Sequence, residues 1–144
     1  MEQGFPMNDA YDVCDEVPSV ADYCRLRIAA GLSPRSEAAA LAGLPNSCIA
    51  VVIRKDGNAV GMGRIIGDGL CYQLVDVAVD PAHQGQGLGK AVVARLMRRL
   101  EEIVPAEAYV SLIADGPAHG LYAQYGFEPT APASIGMAQW IGGK

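Results

Sequence analysis

The 144-residue sequence predicts an α+β domain built on a mixed, mostly antiparallel sheet, and three features predict it. Three β-rich runs follow one another through short turns between Cys48 and Val79. One strongly amphipathic helix comes next, from Leu88 to Val104, and a strand, a helix and a last strand close the chain. Strands gathered in a block and joined by hairpin signals argue against a doubly wound parallel sheet, where strand and helix alternate one by one.

In chain order, residues 1–10 lack periodicity and read as a loose leader, and Tyr11–Cys14 reads as a short first strand. Pro18–Ala30 reads as a helix, with Ser19 and Asp22 near its start and Val20, Tyr23, Cys24 and Ile28 on one side. Gly31-Leu32-Ser33-Pro34 breaks it, and Ser36–Ala42 forms a short second helix that stops at Gly43-Leu44-Pro45. Cys48–Arg54 and Ala59–Ile66 are strands joined by Lys55-Asp56-Gly57-Asn58, where Asp-Gly marks a hairpin. Gly67-Asp68-Gly69 turns the chain into a third strand, Leu70–Val79. In the long helix, Val92, Val93, Leu96, Met97, Leu100 and Val104 make the apolar stripe, opposed by Arg95, Arg98, Arg99 and Glu102. Ala108–Ala114 is expected as a strand, Pro117–Tyr125 as a helix and Gly136–Ile141 as the last strand.

Composition bounds the function. A hydrophobic content of 51% with 19% charge belongs to one folded domain with a real core, not to a disordered chain. A net charge of −5 argues against broad nucleic-acid binding, which needs a basic surface. Cys14, Cys24, Cys48 and Cys71 form no Cys-x-x-Cys pair, and His83 and His119 have no ligand spacing to them, so no metal site is expected. No run approaches the roughly 20 apolar residues of a membrane span, and the acidic, proline-containing start is unlike a signal peptide; no membrane association and a cytoplasmic location are expected.

The chemistry concentrates between Val77 and Lys90. An apolar run ends at Asp80-Pro81, a loop supplies Gln84, Gly85, Gln86, Gly87, Leu88 and Gly89, and the amphipathic helix follows at once. Glycines let the backbone approach a ligand closely, and the free amides of a first helical turn attract anions, so this segment predicts a phosphate site. Spacing decides its type. A P-loop ending at Gly89-Lys90 needs glycine at 84 and a hydroxyl at 91, where Gln84 and Ala91 stand. A dinucleotide fingerprint from Gly85 and Gly87 needs a third glycine at 90, where Lys90 stands. Gln84, Gly87 and Gly89 instead match Gln/Arg-x-x-Gly-x-Gly/Ala.

That pattern resembles the acetyl-CoA pyrophosphate loop of the GNAT superfamily of N-acetyltransferases. Val77-Ala78-Val79-Asp80-Pro81 looks like the family's fourth strand and its exit, and the segment from Asp115 to Phe127 resembles its Asn-x-x-Ala-x-x-Leu-Tyr-x-x-x-Gly-Phe motif. The resemblance covers about residues 48–128. It departs at Asp115, where the family usually has an asparagine that contacts the cofactor; an ionised carboxylate donates no hydrogen bond.

The resemblance implies a central sheet with helices on both faces, acetyl-CoA as co-substrate, and a primary amine acceptor, here expected to be a small molecule attacking directly in a ternary complex. It implies that Gln84 to Lys90 hold the pyrophosphate and that the pantetheine arm lies along Val77, Ala78 and Val79, with a bulged amide polarising the thioester. It assigns Tyr122 as the general acid for the departing thiolate, and puts Asp115 and Tyr125 on the cofactor side. No base stands out. Asp76 faces away from the thioester if Gln73, Val75 and Val77 face it, and water-mediated deprotonation is preferred. Arg25, Arg27, Arg64 and Asp68 are candidates for the acceptor pocket, although scattered charges usually lie at the surface. Two other readings stay open: a non-catalytic acyl-CoA-binding module, and an enzyme that acetylates a protein N-terminus or lysine. Dimers are common in such families, and the last strand is a candidate pairing element for a homodimer.

Overall fold

Asp56-Gly57 does form the tightest hairpin of the chain. Lys55 pairs with Asn58 across it, and the two turn residues take φ of 52° and 83°, the left-handed geometry that asparagine, aspartate and glycine tolerate best. The computed structural model describes residues 10–143. The expected leader thus lies outside the described residues, apart from Ala10 in an exposed turn. The chain divides into two compact units, Met1–Leu112 and Ile113–Lys144.

In the first unit the strands are β1 (Asp12–Cys14), β2 (Ile49–Lys55), β3 (Asn58–Gly67), β4 (Cys71–Val79) and β5 (Tyr109–Ser111), lying side by side in chain order. The first four are antiparallel and β5 joins β4 in parallel, which makes the sheet mixed and mostly antiparallel. Helix α1 (Val20–Ala29) starts where the Ser19 hydroxyl accepts from the Asp22 amide, and α2 (Glu37–Gly43) where Ser36 does the same for Ala39. Helix α3 (Leu88–Ile103) follows β4.

The helices cover both faces of the sheet. Tyr23 and Leu26 of α1, with Ala40 of α2, pack with Val52, Met62 and Ala78 on one face. On the other, the Cβ position of Gly63 points at Val92 and Leu96 of α3. This double cover explains why Ile49 to Ile53 are buried without a break, where a half-exposed strand would alternate.

Helix α1 turns most of the expected side inward, with Tyr23 in the core and Val20 and Cys24 packed against it, but departs at one position. Tyr23, Leu26 and Arg27 are buried, while Ile28 is exposed. The inward position is held by an arginine whose partner lies in the sheet, so an apolar stripe alone misjudges the phase.

In the second unit the expected helix Pro117–Tyr125 is a 3-10 turn, Gly116–Ala118, running into the short α4 (His119–Ala123). Gly116, Pro117 and Gly120 are poor helix formers and account for the shortening. The expected strand Ala108–Ala114 narrows to β5. The expected last strand Gly136–Ile141 does not form: this stretch has no strand geometry, and Met137 and Ile141 are exposed. A strand needs a partner edge and a buried face to fix its register, and Gly136, Gly142 and Gly143 further weaken it. The element named as a homodimer pairing strand is therefore absent from the described chain.

Candidate active site

The loop before α3 is shaped for an anion. Asp80 accepts from the Ala82 amide to open a 3-10 turn, Pro81–His83, and the chain then passes through Gly85 and Gly87 at φ of 82° and 78°. Gly87, the N-cap of the 16-residue α3, has no side chain with which to bond the helix's first amides. A first helical turn of this kind attracts anions, with the helix dipole behind it. Gln84, Gly85, Gln86, Gly87 and Lys90 are exposed, Gly89 is half-buried, and Leu88 is buried as an anchor. His83 ties the loop back to the sheet, where its Nδ1 lies 2.8 Å from the Tyr11 hydroxyl.

Strand β4 carries two irregularities that matter for an acyl thioester. Its pairing with β5 covers only Cys71, Tyr72 and Gln73. From Leu74 to Val79 that side of the strand has no β5 partner, which leaves a backbone edge that an extended arm can join. The ladder with β3 also slips: Val75 pairs with Arg64 and Ala78 with Met62, so Asp76 and Val77 together oppose Gly63. Asp76 stands at φ 61° inside the strand.

The bulge also corrects the expected facing of side chains. Val77 approaches the Gly63 Cβ position on the α3 face, whereas Asp76 lines a cavity on the opposite face together with Gln73 and Val75. A left-handed residue resets the two-residue alternation on which the expectation rested.

This cavity, about 260 Å³, lies in the first unit under α1 and α2, and its polar wall is Tyr23, Arg35, Arg64, Gln73 and Asp76. Asp76 is clamped: Arg27 Nη1 donates to one carboxylate oxygen at 2.5 Å and Arg64 Nε to the other at 2.8 Å. Arg27 also donates to the Ser33 carbonyl and hydroxyl, and Arg64 to the Ser47 hydroxyl. Both guanidinium carbons lie within 5.9 Å of the centre of the Tyr23 ring. Burial first, and then the Asp76 charge, raise the Tyr23 phenol above its ordinary range.

Of the four charged candidates for an acceptor pocket, Arg64 lines the cavity and Arg27 sits behind it. Arg25 instead pairs with Asp22 and donates to the Ala59 carbonyl, and Asp68 accepts from the Leu70 and Cys71 amides in the turn before β4. The Arg27–Asp76–Arg64 cluster was not foreseen. Its signal was a lone aspartate within the apolar run Leu74 to Val79.

The remaining candidates belong to the second unit. Tyr122 is half-buried, its ring edge-to-face with Phe127 at 6.3 Å between centroids. Burial, and secondarily the Asp115 carboxylate, push its phenol upward, so it carries its proton at neutral pH. Tyr125 is raised by burial alone. Asp115 is exposed at the head of the 3-10 turn and caps no amide with its side chain. Among the described residues, no group of three His, Cys, Asp or Glu could hold a metal ion, and no helix is long and apolar enough to cross a membrane.

The chain is similar to known acetyltransferases in sequence and fold. The acetyltransferase (GNAT) domain matches residues 46–129. A crystal structure from meticillin-resistant Staphylococcus aureus, of a protein of unknown function described as a probable acetyltransferase, is 43% identical with a TM-score of 0.87, covering 90% of this chain and 98% of that one. GCN5-related N-acetyltransferase 2, chloroplastic, of Arabidopsis thaliana is 36% identical over 85 residues, 58% of this chain and 32% of that protein. Serotonin N-acetyltransferase 2, chloroplastic, of Oryza sativa subsp. japonica is 37% identical over 83 residues, 57% of this chain and 40% of that protein. The chain thus spans well under half the length of these two relatives. With the matched domain covering β2 to β5, the glycine loop before α3 and the Tyr122 segment, the chain belongs to the GNAT family of acetyltransferases.

Proposed function

We propose that this protein transfers an acetyl group from acetyl-CoA to the primary amine of a small molecule, by direct attack within a ternary complex. The carrying observation is the conjunction on β4: a backbone edge without a β5 partner beyond Gln73, a bulge at Asp76–Val77, and an uncapped α3 N-terminus directly downstream. Bound acetyl-CoA supplies the activated thioester. The first amides of α3, with Gly85 and Gly87, bind its pyrophosphate; the edge along Val77, Ala78 and Val79 receives the extended arm; and an amide of the bulge polarises the acyl oxygen.

Proton traffic follows from the side chains. Tyr122 holds a proton at neutral pH and gives it to the departing thiolate. Among the described residues, the cavity wall offers no side chain ready to take the amine's proton. Asp76 has both oxygens engaged by guanidiniums, and the Tyr23 phenol is raised. The amine therefore loses its proton to water. A cavity of about 260 Å³ favours a small acceptor over a folded protein surface, since sites for drug-sized ligands run to roughly 300–1,000 Å³.

Calorimetric titration with acetyl-CoA tests the reading, repeated with Gly87→Trp. Micromolar binding that the substitution abolishes is expected, followed by thiol release with some member of an amine panel. If neither protein binds acetyl-CoA, the reading fails. If binding occurs and Tyr122→Phe changes nothing measurable across the panel, the protein is an acyl-CoA-binding module.

A further inference from the structure

The cavity carries a charge imbalance. Arg27 and Arg64 share the single carboxylate of Asp76, and the three side chains are only 8%, 11% and 7% exposed. Two cations against one anion leave one formal positive charge in a nearly dry place. Among the described residues that line the cavity, Asp76 is the one carboxylate. A cavity selecting a simple protonated amine would be built the other way, since like charges at close range exclude such a ligand.

The position of Arg64 directs this charge. It is paired in register with Val75, next to the bulge, and Asp76 and Ser47 fix its Nε and Nη1. A guanidinium held on those two sides, and stacked near Tyr23, is oriented before any ligand arrives. Its Nη2 amino group has no bond to Asp76 or Ser47 and belongs to a side chain lining the cavity. Charge-assisted hydrogen bonding to a carboxylate is what this geometry serves.

We propose that the acceptor is a small amine that also carries a carboxylate, that Arg64 binds that carboxylate, and that Asp76 acts as a positioning residue. It fixes the guanidinium and does not take the substrate's proton. The inference rests on the acetyl-transfer reading and narrows its acceptor to a chemical class. An amino acid and its decarboxylated amine then differ in the group the cavity recognises.

The test compares amino acids with their decarboxylated counterparts in a thiol-release assay, with acetyl-CoA affinity measured calorimetrically on every protein. Carboxylated acceptors should show kcat/KM about ten- to a hundredfold above their counterparts, the range of a hydrogen bond to a charged group. Arg64→Lys should raise KM for the carboxylated member far more than for its counterpart, because lysine keeps the charge and loses the fork. Equal or better use of decarboxylated amines, with acetyl-CoA still bound, overturns the carboxylate assignment alone. So does an equal effect of Arg64→Lys on both members of a pair. Failure to bind acetyl-CoA overturns this inference together with the reading beneath it.

Discussion

The two ends of the candidate site are built from different materials. At the α3 end the groups we assign to the ligand are backbone amides, in a loop with glycines at 85 and 87 before a 16-residue helix whose N-cap has no side chain. At the cavity end they are side chains, brought from α1, β3 and β4 and held by one carboxylate. The first kind of site is local, so a single substitution removes a contact and little else. The second is a buried network, in which one substitution leaves other charges without partners.

Removing the Asp76 carboxylate tests that contrast hardest. Asp76→Ala strands two guanidiniums in the interior and places alanine at φ 61°, so we expect about 3–5 kcal/mol of lost stability in urea denaturation. Asp76→Asn tolerates the backbone geometry and keeps one oxygen, and should lose less. A loss below about 1 kcal/mol for alanine, the scale of an exposed pair, would show that the cavity does not depend on its ion network.

The same contrast decides what could be read from the sequence. The phosphate loop, the hairpin at Asp56-Gly57 and the long helix are specified by residues adjacent in the chain, so spacing and glycine placement reveal them. The cavity joins positions 27, 64 and 76, and no local pattern links them. Periodicity even misleads there: Ile28 reads as core and is exposed, while Arg27, outside the apolar stripe, is buried, because a paired arginine can occupy an inward position. The alternation along β4 fails for a related reason, since a bulge cannot be seen in the residues of one strand alone. The expected last strand shows the opposite error, an apolar run with no partner edge to make it a strand.

Tyr122 belongs to neither end and gives the next largest effect, about a hundredfold loss of kcat in Tyr122→Phe with acetyl-CoA affinity unchanged. Burial and then Asp115 raise its phenol, so as an acid it keeps working until pH passes above the ordinary phenol value of about 10. A folded-state value raised in this way contributes stability that is complete below that pH and fades as pH rises through the higher folded value. Asp115→Asn removes the lesser cause and should move the alkaline limb of the rate profile downward. An unmoved limb would show that Tyr122 is not the group titrating.

Gly63 lies between the two constructions, opposite the bulge and beneath α3. A Cβ there meets Val92 Cγ1 at 2.5 Å and Leu96 Cδ1 at 3.0 Å, both methyls of fully buried side chains. Gly63→Ala should cost about 1–3 kcal/mol by overpacking while leaving every charge in place. Its kinetic readout sharpens the comparison. If α3 is pushed away from the bulge, acetyl-CoA affinity should fall and preference among acceptors should stay, because Arg64 and Asp76 lie on the other face.

The smallest effect is expected on the outer side of α3, where Arg95 pairs with Asp15 just after β1 and Arg99 approaches the same carboxylate at 3.5 Å. The hydrogen bond from Arg95, working against burial, holds the Asp15 carboxyl below its ordinary value. A depressed carboxylate contributes stability above its unfolded value, near 3.9, and loses it as pH falls through the folded value. Asp15 is about one third exposed, so solvent screens the pair and Arg95→Ala should cost less than about 1 kcal/mol at pH 7. That difference should shrink below about pH 4 and in high salt, as it must for an ion pair near the surface. The buried Asp76 network is screened far less, so the cost of Asp76→Ala should persist in high salt. Equal salt sensitivity of the two substitutions would show that water reaches the cavity cluster as freely as it reaches α3, and the contrast between the ends would fail.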